Sequence, residues 1–85
     1  MLEGNKQQEL LTIAMEECSE VAIECAKIKR FGPLKDNLNN LEKEVGDLMC
    51  MIMLLEEAKL IDIKSVEKAI ANKRAKLKKW SNLDV

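Results

Sequence analysis

An all-α fold is the prediction, and three features of the sequence make it. Leu, Ile, Met, Ala, Glu and Lys dominate the 85 residues, and most of these are good helix formers. Aromatic residues are only 2%, Phe31 and Trp80 alone, whereas a β-sandwich or barrel draws on aromatic and β-branched side chains. Apolar residues also recur at three- and four-residue steps, the period of a helix face. The expected architecture is a small antiparallel helical hairpin plus a third helix in a single domain, 1–85. A domain this short buries only about 60% of its unfolded surface, so disulfides, a metal or a partner subunit must add burial.

The first helix is expected from about Lys6 to Arg30, after a loose start over Met1–Asn5. Leu11, Ala14, Cys18, Val21, Cys25 and Ile28 form its apolar stripe. Phe31-Gly32-Pro33 ends it, because Gly suits the C-terminal cap and Pro cannot continue the helix. Asp36 or Asn37 can cap a second helix running to about Leu60. Its middle, Leu48 to Leu55, is apolar on every side. Such a helix is buried all round, and three helices of one chain can hardly cover it, so a dimer or tetramer is expected. Asp62 is a good N-cap for a third helix to about Lys79, with Ile63, Val66, Ile70, Leu77 and Trp80 on one face.

No apolar run approaches the ~20 residues of a membrane span. Cys18, Cys25 and Cys50 are an odd count without a C-x-x-C, which fits reduced, buried thiols in a cytoplasmic protein. With no His and no close Cys pair, zinc does not fit. A ferritin-like di-iron bundle is excluded because its E-x-x-H motifs need histidine. The net charge of −1 hides an asymmetry: residues 1–62 carry 13 acids and 7 bases, and residues 63–85 carry 2 acids and 7 bases. An acidic body with a basic tail fits subunit pairing, a nucleic-acid contact, or a metal site facing a phosphate site.

The acids are the informative residues. Glu17 and Glu20 sit three apart on the first helix, with Glu24 one turn on; Glu44 and Asp47 repeat that spacing on the second. On the first helix these acids lie nearly opposite the apolar stripe, as an ordinary solvated face does. On the second, Glu44 and Asp47 point the same way as Met51, Leu54 and Ala58, and acids on a face that becomes core are costly unless paired or bound to metal. Gly46 between them costs about 1 kcal/mol relative to Ala in a helix interior, which suggests close backbone approach. Two pairs converging from antiparallel helices repel unless a cation sits among them. Oxygen-only ligands suit Mg²⁺ or Mn²⁺.

E-E-x-x-E at Glu16–Glu20, then E-x-x-D at Glu44–Asp47 after 23 intervening residues, resembles the signature of the all-α NTP pyrophosphohydrolases. These include the MazG-like enzymes, the all-α dUTPases and dCTPases, and the phosphoribosyl-ATP pyrophosphohydrolases. Glu44-Val45-Gly46-Asp47-Leu48 and the apolar stretch after it are similar to the second motif helix, and the likeness covers roughly residues 10–80. The resemblance implies Mg²⁺ held by Glu17, Glu20, Glu44 and Asp47, and hydrolysis of a nucleoside triphosphate to a monophosphate and pyrophosphate. Glu20 or Glu16 would then orient or deprotonate the attacking water. The likeness also implies that Asn72, Lys73 and Lys76 contact substrate phosphates. Little chain precedes the first motif, and base-stacking aromatics are scarce.

Apart from Lys73, which shares a face with Val66, Ile70, Leu77 and Trp80, most bases of the third helix read as a solvated face. Trp80 is expected to pack at the helix end. The competing reading is a non-catalytic helical interaction module, with the methionine-rich second helix as its surface. A nucleic-acid binder using residues 73–79 is disfavoured by the acidic remainder and the near-zero net charge.

Overall fold

The computed structural model describes residues 2–85, which form α1 (Gly4–Phe31), α2 (Lys35–Glu57) and α3 (Ile63–Trp80), with no strand among them. Met1 lies outside the described residues, and Gly4 and Asn5 are already helical rather than a loose start.

Each helix end has a local cause. Gly32 takes the left-handed conformation (φ 89°) and its N–H donates to the Ile28 carbonyl at 2.8 Å, a backbone state that glycine reaches without Cβ strain. Lys29 and Arg30 place positive charge at this C-terminus, where the helix dipole favours it. Asp36 and Asn37 are not the cap of α2. Leu34 occupies that position without a side-chain cap bond, and the Asn37 amide donates back to the Gly32 carbonyl at 3.3 Å, bracing the turn. Asp62 caps α3 as expected, accepting from the Ser65 N–H at 3.0 Å and its hydroxyl at 3.1 Å.

Helix α2 stops before the expected Leu60. Lys59 is left-handed (φ 61°), its N–H donates to the Glu56 carbonyl at 2.9 Å, and the Leu60 N–H donates to the Leu55 carbonyl at 3.0 Å. These two bonds make a Schellman closure, with Leu60 folded onto the apolar core beside Leu55. A lysine in the left-handed region carries a steric cost that glycine avoids.

The hairpin seam runs through Leu10, Ala14, Glu17, Val21, Glu24 and Ile28 of α1. On α2 it runs through Asn37, Leu41, Glu44, Leu48, Met51, Leu55 and Ala58. Both rows alternate steps of four and three, the heptad pattern of packed helix pairs. This corrects the stripe expected for α1. Ala14, Val21 and Ile28 are shared, but Leu11, Cys18 and Cys25 give way to Leu10, Glu17 and Glu24. Glu17 and Glu24 therefore face the partner helix instead of solvent. All three cysteines are exposed on the single chain rather than buried. A Cβ at Gly46 would meet nothing within 4 Å, so no close backbone approach explains this glycine.

The core is small. Leu10, Ala14, Met51 and Ala58 are buried, with Ile13, Leu55 and Leu60 packed against them, all at the end where α1 begins and α2 finishes. Helix α3 has no buried residue and makes only marginal contact with the hairpin. The extents are 42 × 31 × 15 Å, so the thinnest dimension is little more than one helix diameter of about 10–12 Å. The radius of gyration is 15.4 Å against about 12 Å for a compact chain of this length. The accessible surface is 7047 Å² against about 5,100 Å² for a folded monomer of this mass.

Met51→Ala should lower stability to denaturant by about 2–3 kcal/mol, the usual cost of truncating a buried methionine. Lys59→Gly should raise it by about 0.5–1 kcal/mol by relieving the left-handed backbone. Both are read from urea unfolding midpoints.

Candidate metal centre

Glu17 and Glu44 reach the centre because each occupies a heptad position of the seam, and Asp47 joins them from one turn after Glu44. One carboxylate oxygen from each of Glu17, Glu44 and Asp47 lies within 4.8 Å of the other two. All three residues are half-buried. Glu17 Oε2 is shielded from solvent and has no hydrogen-bond partner. Burial, followed by repulsion from Asp47 and Glu44, holds the Glu17 carboxyl above the usual glutamate range; Glu20 adds to this and Lys43 opposes it.

The remaining expected residues are placed differently. Glu20 is exposed, one turn along from Glu17, and stands outside the three-carboxylate group although its charge is felt at Glu17. Glu16 is exposed, and its carbonyl accepts from the Ser19 hydroxyl at 2.7 Å. Asn72, Lys73 and Lys76 are exposed on α3 and take part in no side-chain hydrogen bond or ion pair among the described residues. Glu24 is the most buried acid; it pairs with Lys27 at 3.2 Å through Oε2 and leaves Oε1 without a partner, outside the group.

Sequence reasoning passed over Lys43. Its ammonium lies 2.9 Å from Asp47 Oδ2 and 3.3 Å from Glu44 Oε1. Hydrogen bonds to Asp47 and Glu44, with the attraction of both charges, push it up to about 12. The i, i+4 spacing to Asp47 was the signal available in the chain.

The donor set fits a hard divalent cation. It consists of carboxylate oxygens alone, one of them buried and unsatisfied. Metal–oxygen distances of about 2.1 Å put neighbouring ligand oxygens about 3 Å apart and opposite ones about 4 Å apart.

Comparison with known proteins agrees with this geometry. The family model of the MazG nucleotide pyrophosphohydrolase domain matches residues 5–81. The chain belongs to the MazG family. That match spans the three helices except Gly4, and every acid of the candidate centre. No curated protein and no solved structure matches the chain. MazG membership suggests a nucleotide pyrophosphohydrolase, a family that typically uses a divalent metal, and the chain has an acidic group compatible with one.

The raised Glu17 pKa has a sign that stability reports. The folded state holds the Glu17 proton more tightly than the unfolded chain, so folding is favoured below the ordinary glutamate pKa of about 4.3. That contribution is lost as pH rises through the elevated folded value. Glu17→Gln without metal should therefore be more stable than wild type at neutral pH, with the gap shrinking toward pH 4. Thermal unfolding in chelator across that range checks it.

Proposed function

We propose that this MazG-family chain is a Mg²⁺-dependent pyrophosphohydrolase acting on a nucleoside triphosphate, ribo or deoxy. It would release the monophosphate and pyrophosphate. The observation carrying the reading is the Glu17–Glu44–Asp47 group with its unsatisfied buried oxygen, set in a helix pair that the family model spans. Those three residues would hold the cation, with Glu20 turning in from the next turn of α1 as a further oxygen donor; Mn²⁺ suits the same donors. A divalent cation bound there supplies polarisation of phosphate oxygens and acidification of water.

The protein's own groups do the rest. Glu20, or Glu16 beside Glu17, accepts the proton of the water that attacks the α-phosphorus as the bond to the pyrophosphate oxygen breaks. Of the two, Glu20 shares a helix face with Glu17 at i, i+3, whereas Glu16 is its immediate chain neighbour. Asn72, Lys73 and Lys76 meet the triphosphate and offset charge growing on the leaving pyrophosphate.

Assembly belongs to the same proposal. Apolar side chains stand exposed along the hairpin, among them Met15, Ile23, Met49 and Met53, in a molecule one helix layer thick. A layer of helices needs a second layer to bury its apolar faces, and a second copy is the proposed one, as a dimer or tetramer. Among the described residues no helix is long and apolar enough to cross a membrane. A cytoplasmic setting suits exposed thiols, which stay reduced there.

Purified protein with Mg²⁺ should release pyrophosphate from a panel of ribo- and deoxynucleoside triphosphates. Glu20→Gln should slow this about 10²–10⁴-fold, and Glu44→Gln should lose both activity and the heat of Mg²⁺ binding. Full activity in Glu44→Gln would remove the site assignment. Absence of both pyrophosphate release and Mg²⁺ heat in wild type would leave the interaction-module reading in its place. Sedimentation should give the mass of two or four chains; a monomer at micromolar concentration overturns the assembly.

A further inference from the structure

The Lys43 ammonium engages carboxylates that would hold a metal ion. It binds oxygens of Asp47 and Glu44, two of the three carboxylates that converge. Its side chain is 69% exposed, so the stem is free to swing away, and no other ion pair among the described residues holds it. An ammonium and a divalent cation cannot share the same carboxylate lone pairs. A lysine has one charge and no fixed coordination geometry, so it can balance only part of three negative charges. It leaves Glu17 Oε2 unsatisfied.

We propose that Lys43 is a built-in counter-ion of the carboxylate centre, which a divalent metal displaces from Asp47 and Glu44 on binding. This rests on the metal-binding reading above and concerns a residue that the acidic signature does not include. Without metal, the ammonium offsets the repulsion between Glu44 and Asp47 on α2 and lessens their repulsion of Glu17 across the seam. With metal, that task passes to the ion, and the released ammonium stays tethered at the rim of the centre. The lysine thus weakens metal affinity while protecting the metal-free fold. Two exposed ion pairs set a modest scale for both effects.

The test uses Mn²⁺ alone, by calorimetry and by thermal unfolding, on wild type, Lys43→Met and Lys43→Arg. Lys43→Met should bind Mn²⁺ about three- to tenfold more tightly than wild type, as loss of a competitor worth two exposed ion pairs. It should unfold at a lower temperature than wild type in chelator, and at the wild-type temperature in saturating Mn²⁺. Lys43→Arg keeps the charge and should bind no more tightly than wild type. A purely structural lysine would lower the unfolding temperature equally with and without Mn²⁺, which overturns the proposal. So does unchanged or weaker Mn²⁺ binding in Lys43→Met when wild type binds normally. If no variant binds Mn²⁺, the metal-centre reading falls, and this inference with it.

Discussion

Like charges in a helix–helix seam need a cation. Glu17 and Glu44 occupy heptad positions that apolar residues would normally fill, and Asp47 closes the group from the adjacent turn. At the core end the same seam carries Leu10, Ala14, Met51 and Ala58, which hold the two helices in register. The apolar end therefore fixes where the acidic middle meets. Burial first and repulsion second raise the Glu17 pKa there, and Lys43 lends an ammonium to the group.

On the proposed metal-binding reading, that arrangement would couple folding to ion binding. Hydrophobic burial in one chain is slight, because a single layer of helices has no second layer to cover it. An ion held by the carboxylates, as proposed, would stabilise the α1–α2 pair by an amount that grows with the logarithm of its affinity. A second copy covering the exposed methionines would stabilise the same pair from outside. The small core, the acid group and the bare apolar surface are thus parts of one arrangement: the last two would add stability through the proposed ion and the proposed second copy.

The all-α character, the three helices and their approximate limits were legible in the chain, since period, glycine and the Asp62 cap act locally. So were the acids on α2, because Glu44 lies on a face that becomes apolar one turn later. The packed face of α1 was misread. Two stripes of equal period run side by side there, and hydropathy prefers Leu11, Cys18 and Cys25 over a stripe containing Glu17 and Glu24. A charge placed in a seam defeats any reading that scores burial by apolarity.

By itself the sequence determined the helices and the family, because helix formation depends on neighbours three and four residues apart, and the family signature is an ordered set of acids along the chain. Only the tertiary structure decided which carboxylates meet: Glu17, Glu44 and Asp47, with Glu20 one turn outside and Lys43 between Asp47 and Glu44. The rotation of α1 about its own axis against α2 makes that choice. A difference of about 100°, one residue, moves a glutamate from water into the seam, and packing across the hairpin sets the rotation.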